Sequence, residues 1–247
     1  MLSATLILLS AFSAQTNDAD AFLKELGKSR EGVETFRARF IQEVNSPDDT
    51  FRVAGTLVYR KPRRLVYRSE EMVTIVDGGT SYEYEMDLEQ VLVDDIAGTP
   101  LEDLFFFGFE ADTERLRGRY DLRLFEEPGD KIGRRRLSIR PKPEDKEASP
   151  FLEVIVGFRD EDLLPHNIRV QNDEDAYTSY ILNTYELNCP LNDSEIEMVL
   201  PPGTIIVERG EVVEEVGEEG LRLPREPLSP DPTLPSRLIE ATTPAAE

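Results

Sequence analysis

The chain has very few of the residues on which most catalytic and metal sites depend. It contains one histidine, one cysteine and no tryptophan. A lone histidine, His166, cannot build a histidine-rich metal site, and a nucleophilic Cys–His pair would require it to lie beside Cys189. A phosphate-binding loop, a dinucleotide glycine fingerprint and a G-x-S-x-G element are also missing. We therefore expect a protein that is not an enzyme and has no cofactor.

Basic residues are scarce relative to acidic ones. The 28 Lys and Arg residues against 50 Asp and Glu residues give a formal net charge of -22. This excess of negative charge argues against long-range attraction to a nucleic acid backbone. The acidic run from Asn172 to Asp175 lacks the glycine and the spaced terminal glutamate of a calcium loop, so a solvated turn is expected there. We expect no nucleic acid partner.

Charged residues are absent from one stretch at the N-terminus. Residues 2–14 read LSATLILLSAFSA and are followed by polar Gln15 to Asp18. The run is too short to span a bilayer and has the length of the apolar part of a signal peptide, although no lysine or arginine precedes it. We predict that residues 1–14 are a signal peptide and that the mature protein is soluble and periplasmic. A buried N-terminal helix or strand is the alternative.

An amphipathic helix is predicted between Asp18 and Val44, with interruptions at Gly27 and Gly32. Apolar residues recur there at steps of mostly three, four and seven, which is a helical period. They are Phe22, Leu26, Val33, Phe36, Phe40 and Val44.

A second, shorter helix is predicted over Leu101 to Phe107. Thr99 is a suitable N-cap, and Pro100 fits the first helical position. The segment ends in three consecutive phenylalanines, which spread over about 200° of arc on a helix. At least one of these rings is therefore expected to face a cavity or solvent, as in a lid.

Short β-strands are predicted through the rest of the chain as far as Leu200. Lys61-Pro62 and Asp77-Gly78-Gly79 supply two of the turns. Eleven segments are rich in β-forming residues and bounded by turn signals: 52–60, 63–69, 73–76, 81–86, 90–94, 120–125, 135–141, 152–158, 165–171, 176–187 and 196–200. Strands and helices do not alternate, so the pattern favours a sandwich or barrel over a parallel α/β fold.

The pattern changes again near the C-terminus. Residues 210–247 combine acidic residues with repeated prolines and show no apolar period. Such a composition cannot bury enough apolar surface to offset the entropy of ordering. We predict an acidic, Pro-rich disordered tail over residues 210–247, which leaves residues 18–209 as the folded domain.

Several short elements follow one another in a specific order through this domain. They are Phe36-x-Ala38-x-Phe40-x-Gln42, Gly55-x-Leu57, Lys61-Pro62, Asp77-Gly78, Tyr82-x-Tyr84, Leu88-Glu89-Gln90-Val91, Thr99-Pro100-Leu101 and Pro201-Pro202-Gly203-Thr204. Together they resemble the LolA family of outer-membrane lipoprotein carriers over roughly residues 18–209. The resemblance implies a mainly β (α+β) fold, an incomplete antiparallel β-barrel of about eleven strands closed by an N-terminal helix and a short lid helix.

The resemblance also implies a function. A LolA-type carrier would hold acylated lipoproteins or lipids in the barrel, taking them from an inner-membrane lipoprotein-releasing ABC transporter to an outer-membrane acceptor. The predicted lipid-binding residues are Phe36, Phe40, Leu57, Tyr59, Leu65, Tyr67, Tyr82, Tyr84, Phe105, Phe106 and Phe107. Ordinary core packing would produce the same alternation. The resemblance favours the lipid-binding interpretation for Leu65 and Tyr67.

One position departs from the family pattern. The residue before the strand-turn proline is an arginine that latches the lid helix in the family, and here it is Lys61. Lysine lacks the planar donor fork of arginine. The predicted lid latch therefore comprises Lys61 together with its neighbours Arg60 and Arg63.

Two other functions are compatible with the sequence. One is a sensor of the same fold that detects lipids or lipoproteins and signals through a partner. The other is an exported β-rich interaction protein whose groove holds a peptide strand. A dry apolar cavity would count against the peptide-binding alternative.

Overall fold

A computed structural model describes residues 5–47, 50–107, 109 and 113–224, with the side chains from residue 18 onward. The helices in these ranges are α1 (Thr5–Arg30), α2 (Pro100–Phe106), α3 (Thr113–Arg119) and α4 (Asp193–Ile196). Among the described residues, no helix is long and apolar enough to cross a membrane. Residues 1–4 of the predicted signal peptide lie outside the described ranges, and residues 5–14 form the start of α1. Its cleavage remains a prediction.

The described strands are short and mostly consecutive in space. They are β1 (Thr35–Asn45), β2 (Thr50–Arg60), β3 (Arg64–Ser69), β4 (Met72–Asp77), β5 (Thr80–Glu85), β6 (Gln90–Asp95), β7 (Tyr120–Glu126), β8 (Arg135–Pro141), β9 (Glu153–Phe158), β10 (Pro165–Gln171), β11 (Tyr177–Leu187), β12 (Met198–Leu200), β13 (Ile205–Glu208), β14 (Glu211–Glu215) and β15 (Leu221–Leu223).

One large open sheet contains thirteen of the described strands, in the order β14-β13-β6-β5-β4-β3-β2-β1-β11-β10-β9-β8-β7. All neighbours in it are antiparallel except β13 and β6, which are parallel. Strands β12 and β15 form a separate antiparallel pair. The two ends of the sheet do not meet, so the predicted incomplete, mainly β barrel is confirmed, with more strands than the eleven predicted.

Residues 35–45 form strand β1, and the prediction of a helix as far as Val44 was wrong. Helix α1 passes through Gly27 and ends at Arg30. The four-residue step between Phe36 and Phe40 fits a helix and a strand equally well, whereas the buried alternation of Phe36, Ala38 and Phe40 fits a strand alone. Strand β1 joins the two halves of the sheet by pairing with β2 and β11.

The strand register defines two faces of the sheet, because residues directly opposite each other point to the same side. Leu57 on β2 opposes Tyr67 on β3, and we call the face that carries them the inner face. Phe40 lies on the same face and its ring covers Gly55, where a Cβ atom would come within 2.3 Å of the ring. Only glycine leaves room for this ring.

Helices α1 and α2 both pack on the inner face. Residues of α1 pack with the inner-face residues of β8 to β10 in one buried cluster: Ala19, Phe22, Leu23, Leu26, Leu137, Ile139, Val154, Val156 and Val170. Each buried side chain of this size contributes about 1.5–3 kcal/mol. Helix α2 covers the inner face of β2 and β3, where Phe106 packs in the cluster of Tyr59 and Leu65.

The C-terminal residues cover the outer face of β2 to β6. The buried cluster there contains Val58, Val66, Val73, Ile75, Val91, Ile196, Met198, Leu200, Ile206, Val216 and Leu223. The prediction of a disordered tail from residue 210 is therefore corrected for residues 210–224, which form β14 and β15. Acidic side chains dominate this segment, but Val216 and Leu223 are buried and anchor it. Residues 225–247 lie outside the described ranges.

Candidate functional site

A cavity of about 250 Å³ lies between the inner face and helix α2. It is lined by Phe40, Leu57, Leu65, Tyr67, Leu101, Leu104, Phe105, Phe107, Phe109, Ile168, Val170, Asn172, Thr178, Tyr180 and Leu182. Most of this lining is apolar, and its polar groups come from Asn172, Thr178 and two tyrosines, so it offers water few hydrogen-bond partners. The volume is slightly below the roughly 300–1,000 Å³ of most small-molecule sites. With α2 in this position the cavity accommodates a portion of an acyl chain.

Six of the predicted lipid-binding residues line the cavity: Phe40, Leu57, Leu65, Tyr67, Phe105 and Phe107. Phe36 and Tyr59 lie behind the wall, where both are fully buried and their rings pack on Phe109 at centroid distances of 5.2 and 4.8 Å. Phe106 is also buried, beneath the guanidinium of Arg63 at 4.3 Å. These three aromatic residues support the wall and the lid rather than line the cavity.

Tyr82 and Tyr84 lie on the outer face, which corrects their prediction as lipid-binding residues. Tyr82 opposes Ile75 of β4, and both residues pack in the outer cluster. The inner-face position of β5 between the two tyrosines is Glu83. The alternation along β5 was predicted correctly, but the register of β4 decides which face it presents.

Nine lining residues were not predicted from the sequence: Leu101, Leu104, Phe109, Ile168, Val170, Asn172, Thr178, Tyr180 and Leu182. Five of them come from β10 and β11, where Ile168 opposes Tyr180. The alternation of Ile168 and Val170 with more polar residues is visible in the sequence of the predicted strands. Nothing in the sequence indicates, however, that β11 pairs with β1 and so brings them to the same cavity.

Helix α2 begins as the sequence predicts. The Thr99 hydroxyl accepts a hydrogen bond from the backbone N–H of Glu102 at 3.4 Å, and Pro100 occupies the first helical position. The hydroxyl also donates to the Ile96 carbonyl at 2.7 Å, which fixes the approach of β6 to the helix. Because α2 carries Leu101, Leu104 and Phe105 over the cavity, we call it the lid helix.

Glu102 connects the lid helix to the β2–β3 turn. Its buried carboxylate forms an ion pair with Arg63 and accepts a hydrogen bond from Arg115 of α3 at 3.0 Å. The backbone N–H of Gly98 donates to the same carboxylate at 2.7 Å. A buried carboxylate needs such partners, because leaving it unpaired is costly. The β2–β3 turn and helix α3 therefore both hold the lid helix in place.

Asp103 makes the second set of lid contacts and is almost fully buried, with 2% of its side chain exposed. Its carboxylate lies 2.5 Å from Arg115 and 3.4 Å from Arg119. The hydroxyl of Tyr120 donates to it at 3.1 Å, and burial and this carboxylate together raise the pKa of Tyr120. We refer to Glu102, Asp103 and their arginine partners as the lid network.

Arg63 is the predicted latch residue that the structure places in the lid network. The Nζ atom of Lys61 lies 3.5 Å from the carboxylate of Glu34 and donates to the carbonyl of Glu31 at 3.4 Å, so it points toward the α1–β1 connection. Arg60 ends β2 opposite Thr35 of β1. The prediction that the latch includes Lys61 and Arg60 is corrected accordingly, because Lys61 contacts Glu31 and Glu34 and, among the described residues, neither side chain forms an ion pair with the lid helix.

An open, mainly antiparallel sheet with an apolar cavity under a lid helix defines a class of proteins that bind lipids or lipidated ligands. The sequence model of the family described as outer membrane lipoprotein carrier protein LolA matches residues 31–198. The chain belongs to this family. Its members are carriers or binders rather than enzymes.

Comparison with solved structures gives matches of low sequence identity. An uncharacterized conserved protein from Thermus thermophilus is 11% identical, with a TM-score of 0.49 over 76% of this chain and 99% of that one. The lipoprotein LppX from Mycobacterium tuberculosis is 12% identical, with a TM-score of 0.41 over 70% and 96%. A LolA superfamily protein from Nitrosomonas europaea is 10% identical, with a TM-score of 0.37 over 72% and 96%. Curated protein sequences contain no match to this chain.

Proposed function

We propose that the protein is a periplasmic carrier that holds the acyl chains of lipoproteins or similar lipids beneath the lid helix. It receives them from an inner-membrane ABC transporter and passes them to an outer-membrane acceptor. The observation that carries this proposal is the apolar cavity, closed by apolar side chains of a helix that is itself fixed by charged contacts. Binding and release of this kind require no covalent chemistry.

The lid residues and an acyl chain compete for the same surface. Leu101, Leu104 and Phe105 cover part of the cavity wall in this structure. Uncovering one such side chain costs about 2 kcal/mol, whereas each buried methylene of a ligand contributes about 0.8 kcal/mol. When part of an acyl chain replaces a few lid side chains on the cavity wall, the closed, empty state and the open, loaded state have similar free energies. A carrier that must release its cargo requires this balance.

The proposal is tested by purifying the protein from the periplasmic fraction of its own host and recording its native mass spectrum with a lipid extraction. We expect bound acylated peptide or lipid, and transfer of that cargo to outer-membrane vesicles. A protein that is empty and binds no added acyl chain would refute the carrier function. A bound peptide without an acyl chain would instead support a peptide-binding protein.

Removing the Arg63 side chain is expected to loosen the lid. Arg63→Ala removes an ion pair to Glu102 and a cation–π contact to Phe106, together about 1–2 kcal/mol. We expect roughly tenfold faster loss of bound lipid, since every 1.4 kcal/mol is tenfold. Hydrogen exchange of the α2 amides, read by mass spectrometry, should accelerate in parallel.

Lys61→Ala is the matched control, because Lys61 belongs to the same turn but contacts Glu34. It should leave both rates unchanged. Equal acceleration by the two substitutions would show that the turn, rather than the Arg63 contact, holds the lid.

A further inference from the structure

The inner face changes from apolar to acidic between β3 and β6. Tyr67 opposes Thr74 on β4, and Thr74 opposes Glu83 on β5. Two further acids, Glu85 and Asp94, lie close enough to Glu83 for their charges to act on it. The inner face is therefore apolar where it lines the cavity beneath the lid helix and acidic beyond Tyr67, on β5 and β6.

Glu83 is a half-buried carboxylate that, in the described part of the chain, forms no ion pair with a basic side chain. Burial raises its pKa, and the negative charges of Glu85 and Asp94 raise it further. A carboxylate in such surroundings is costly unless a positive charge lies nearby. Arg63 of the β2–β3 turn pairs with Glu102 of the lid network.

Aromatic rings of the cavity wall lie on the same face of the sheet as this carboxylate. Phe40 and Tyr67 stack with their centroids 4.1 Å apart, and Tyr180 meets Tyr67 edge-on at 6.1 Å. Burial, with a contribution from the charge of Glu83, raises the pKa of Tyr180 to about 12, so its hydroxyl stays neutral. Tyr67 donates its own hydroxyl hydrogen bond to Gln42, which holds the ring in place.

A carboxylate on the same face of the sheet as the ring of Tyr67, and close enough to Tyr180 for its charge to act on that hydroxyl, can attract an organic cation together with the negative ring faces. We propose that the cavity binds an acyl chain attached to a positively charged group, a primary or quaternary ammonium, which Glu83 and the rings of Tyr67 and Tyr180 hold. This inference rests on the proposed carrier function and specifies its ligand. Phosphate or sulfate groups without a nearby ammonium are repelled by the same acids.

Three probes with the same ten-carbon chain test the inference by titration calorimetry below their micelle concentrations: decylammonium, decanol and decyl sulfate. We expect the wild-type protein to bind decylammonium about tenfold more tightly than decanol, and decyl sulfate most weakly. Glu83→Gln should remove the preference for decylammonium. Equal affinity for all three probes, or a Glu83→Gln protein that keeps the preference, would overturn the inference.

Two further variants separate the site from the general negative charge of the protein. Glu70→Gln removes the same charge from the exposed turn between β3 and β4 and should keep the preference. Glu83→Lys should reverse it in favour of decyl sulfate, in a variant whose circular dichroism spectrum matches that of the wild type. A reduction of decylammonium binding by Glu70→Gln equal to that of Glu83→Gln would mean that net charge alone attracts the cation.

The source of the cationic group is tested with a diacylated lipopeptide that has a free amino terminus, its N-acetylated form, and vesicles containing phosphatidylethanolamine. Stronger binding of the free lipopeptide than of the acetylated one supports the inference with a lipoprotein source. Extraction of phosphatidylethanolamine, weakened by Glu83→Gln, supports it with a phospholipid source. Binding of both lipopeptides with equal affinity would refute the cation site yet preserve the carrier function, whereas failure of every acyl probe would refute the carrier function itself.

Discussion

Replacing Asp103 with alanine is expected to lower the free energy of unfolding by about 3–5 kcal/mol, the usual cost of removing one partner of a buried ion pair. The carboxylate is almost fully buried and contacts Arg115, Arg119 and Tyr120. Its loss leaves two arginines beside the lid helix without their shared partner. Urea unfolding followed by circular dichroism measures the change.

Two substitutions serve as controls for this prediction. Asp121→Ala removes an exposed acid from the neighbouring strand β7 and should stay within about 0.5 kcal/mol of the wild type. Asp103→Asn preserves the shape of the side chain and should cost less than Asp103→Ala. If Asp103→Ala shifted the urea transition no more than Asp121→Ala, the lid network would contribute nothing to global stability.

A carboxylate introduced inside the cavity is expected to abolish acyl-chain binding. Leu57 lines the cavity and is only partly buried, so Leu57→Glu can fold with the new carboxylate hydrated in the empty cavity. An incoming acyl chain would have to strip that water from the charge, which costs several kcal/mol. We expect at least about a 100-fold loss of affinity for a fluorescent fatty acid.

Ala54→Glu provides the matched control, because Ala54 is exposed on the same strand and its side chain points to the outer face. This variant carries the same added charge and should bind the fatty acid as the wild type does. Retention of binding by Leu57→Glu would exclude the cavity beneath the lid helix as the acyl-chain site.

The position of the lid helix could be predicted from local sequence rules. Thr99, Pro100 and the consecutive phenylalanines predict its start, its first residue and its role as a cover, since capping and helix geometry depend only on neighbours in the chain. Strands β2 to β12 likewise correspond to the eleven predicted segments, because each is bounded by its own turn signals. Six lining residues of the cavity were predicted from the resemblance to the LolA family together with the apolar pattern.

Features that depend on distant pairing could not be predicted. Tyr82 and Tyr84 alternate as clearly as Leu65 and Tyr67, but the face each pair presents is set by the register of β4 between them. Strand β14 was not predicted because all of its residues are exposed. Its sequence therefore lacks the alternation of apolar and polar residues that a half-buried strand shows. The lid network joins α2 to α3 and to the β2–β3 turn, and long-range ion pairs of this kind leave no spacing signal.

The parallel pairing of β13 with β6 has a consequence for the order of folding. The outer face of β2 to β6 is covered by residues 196–223, which are synthesised only after β7 to β11. A chain that emerges from its N-terminus therefore carries an uncovered apolar surface until its last strands arrive, and contacts so distant in sequence form slowly. A nascent or truncated chain that ends before β12 is thus an aggregation-prone species rather than a smaller version of the same protein, and folding is completed only when the C-terminal strands are free to dock.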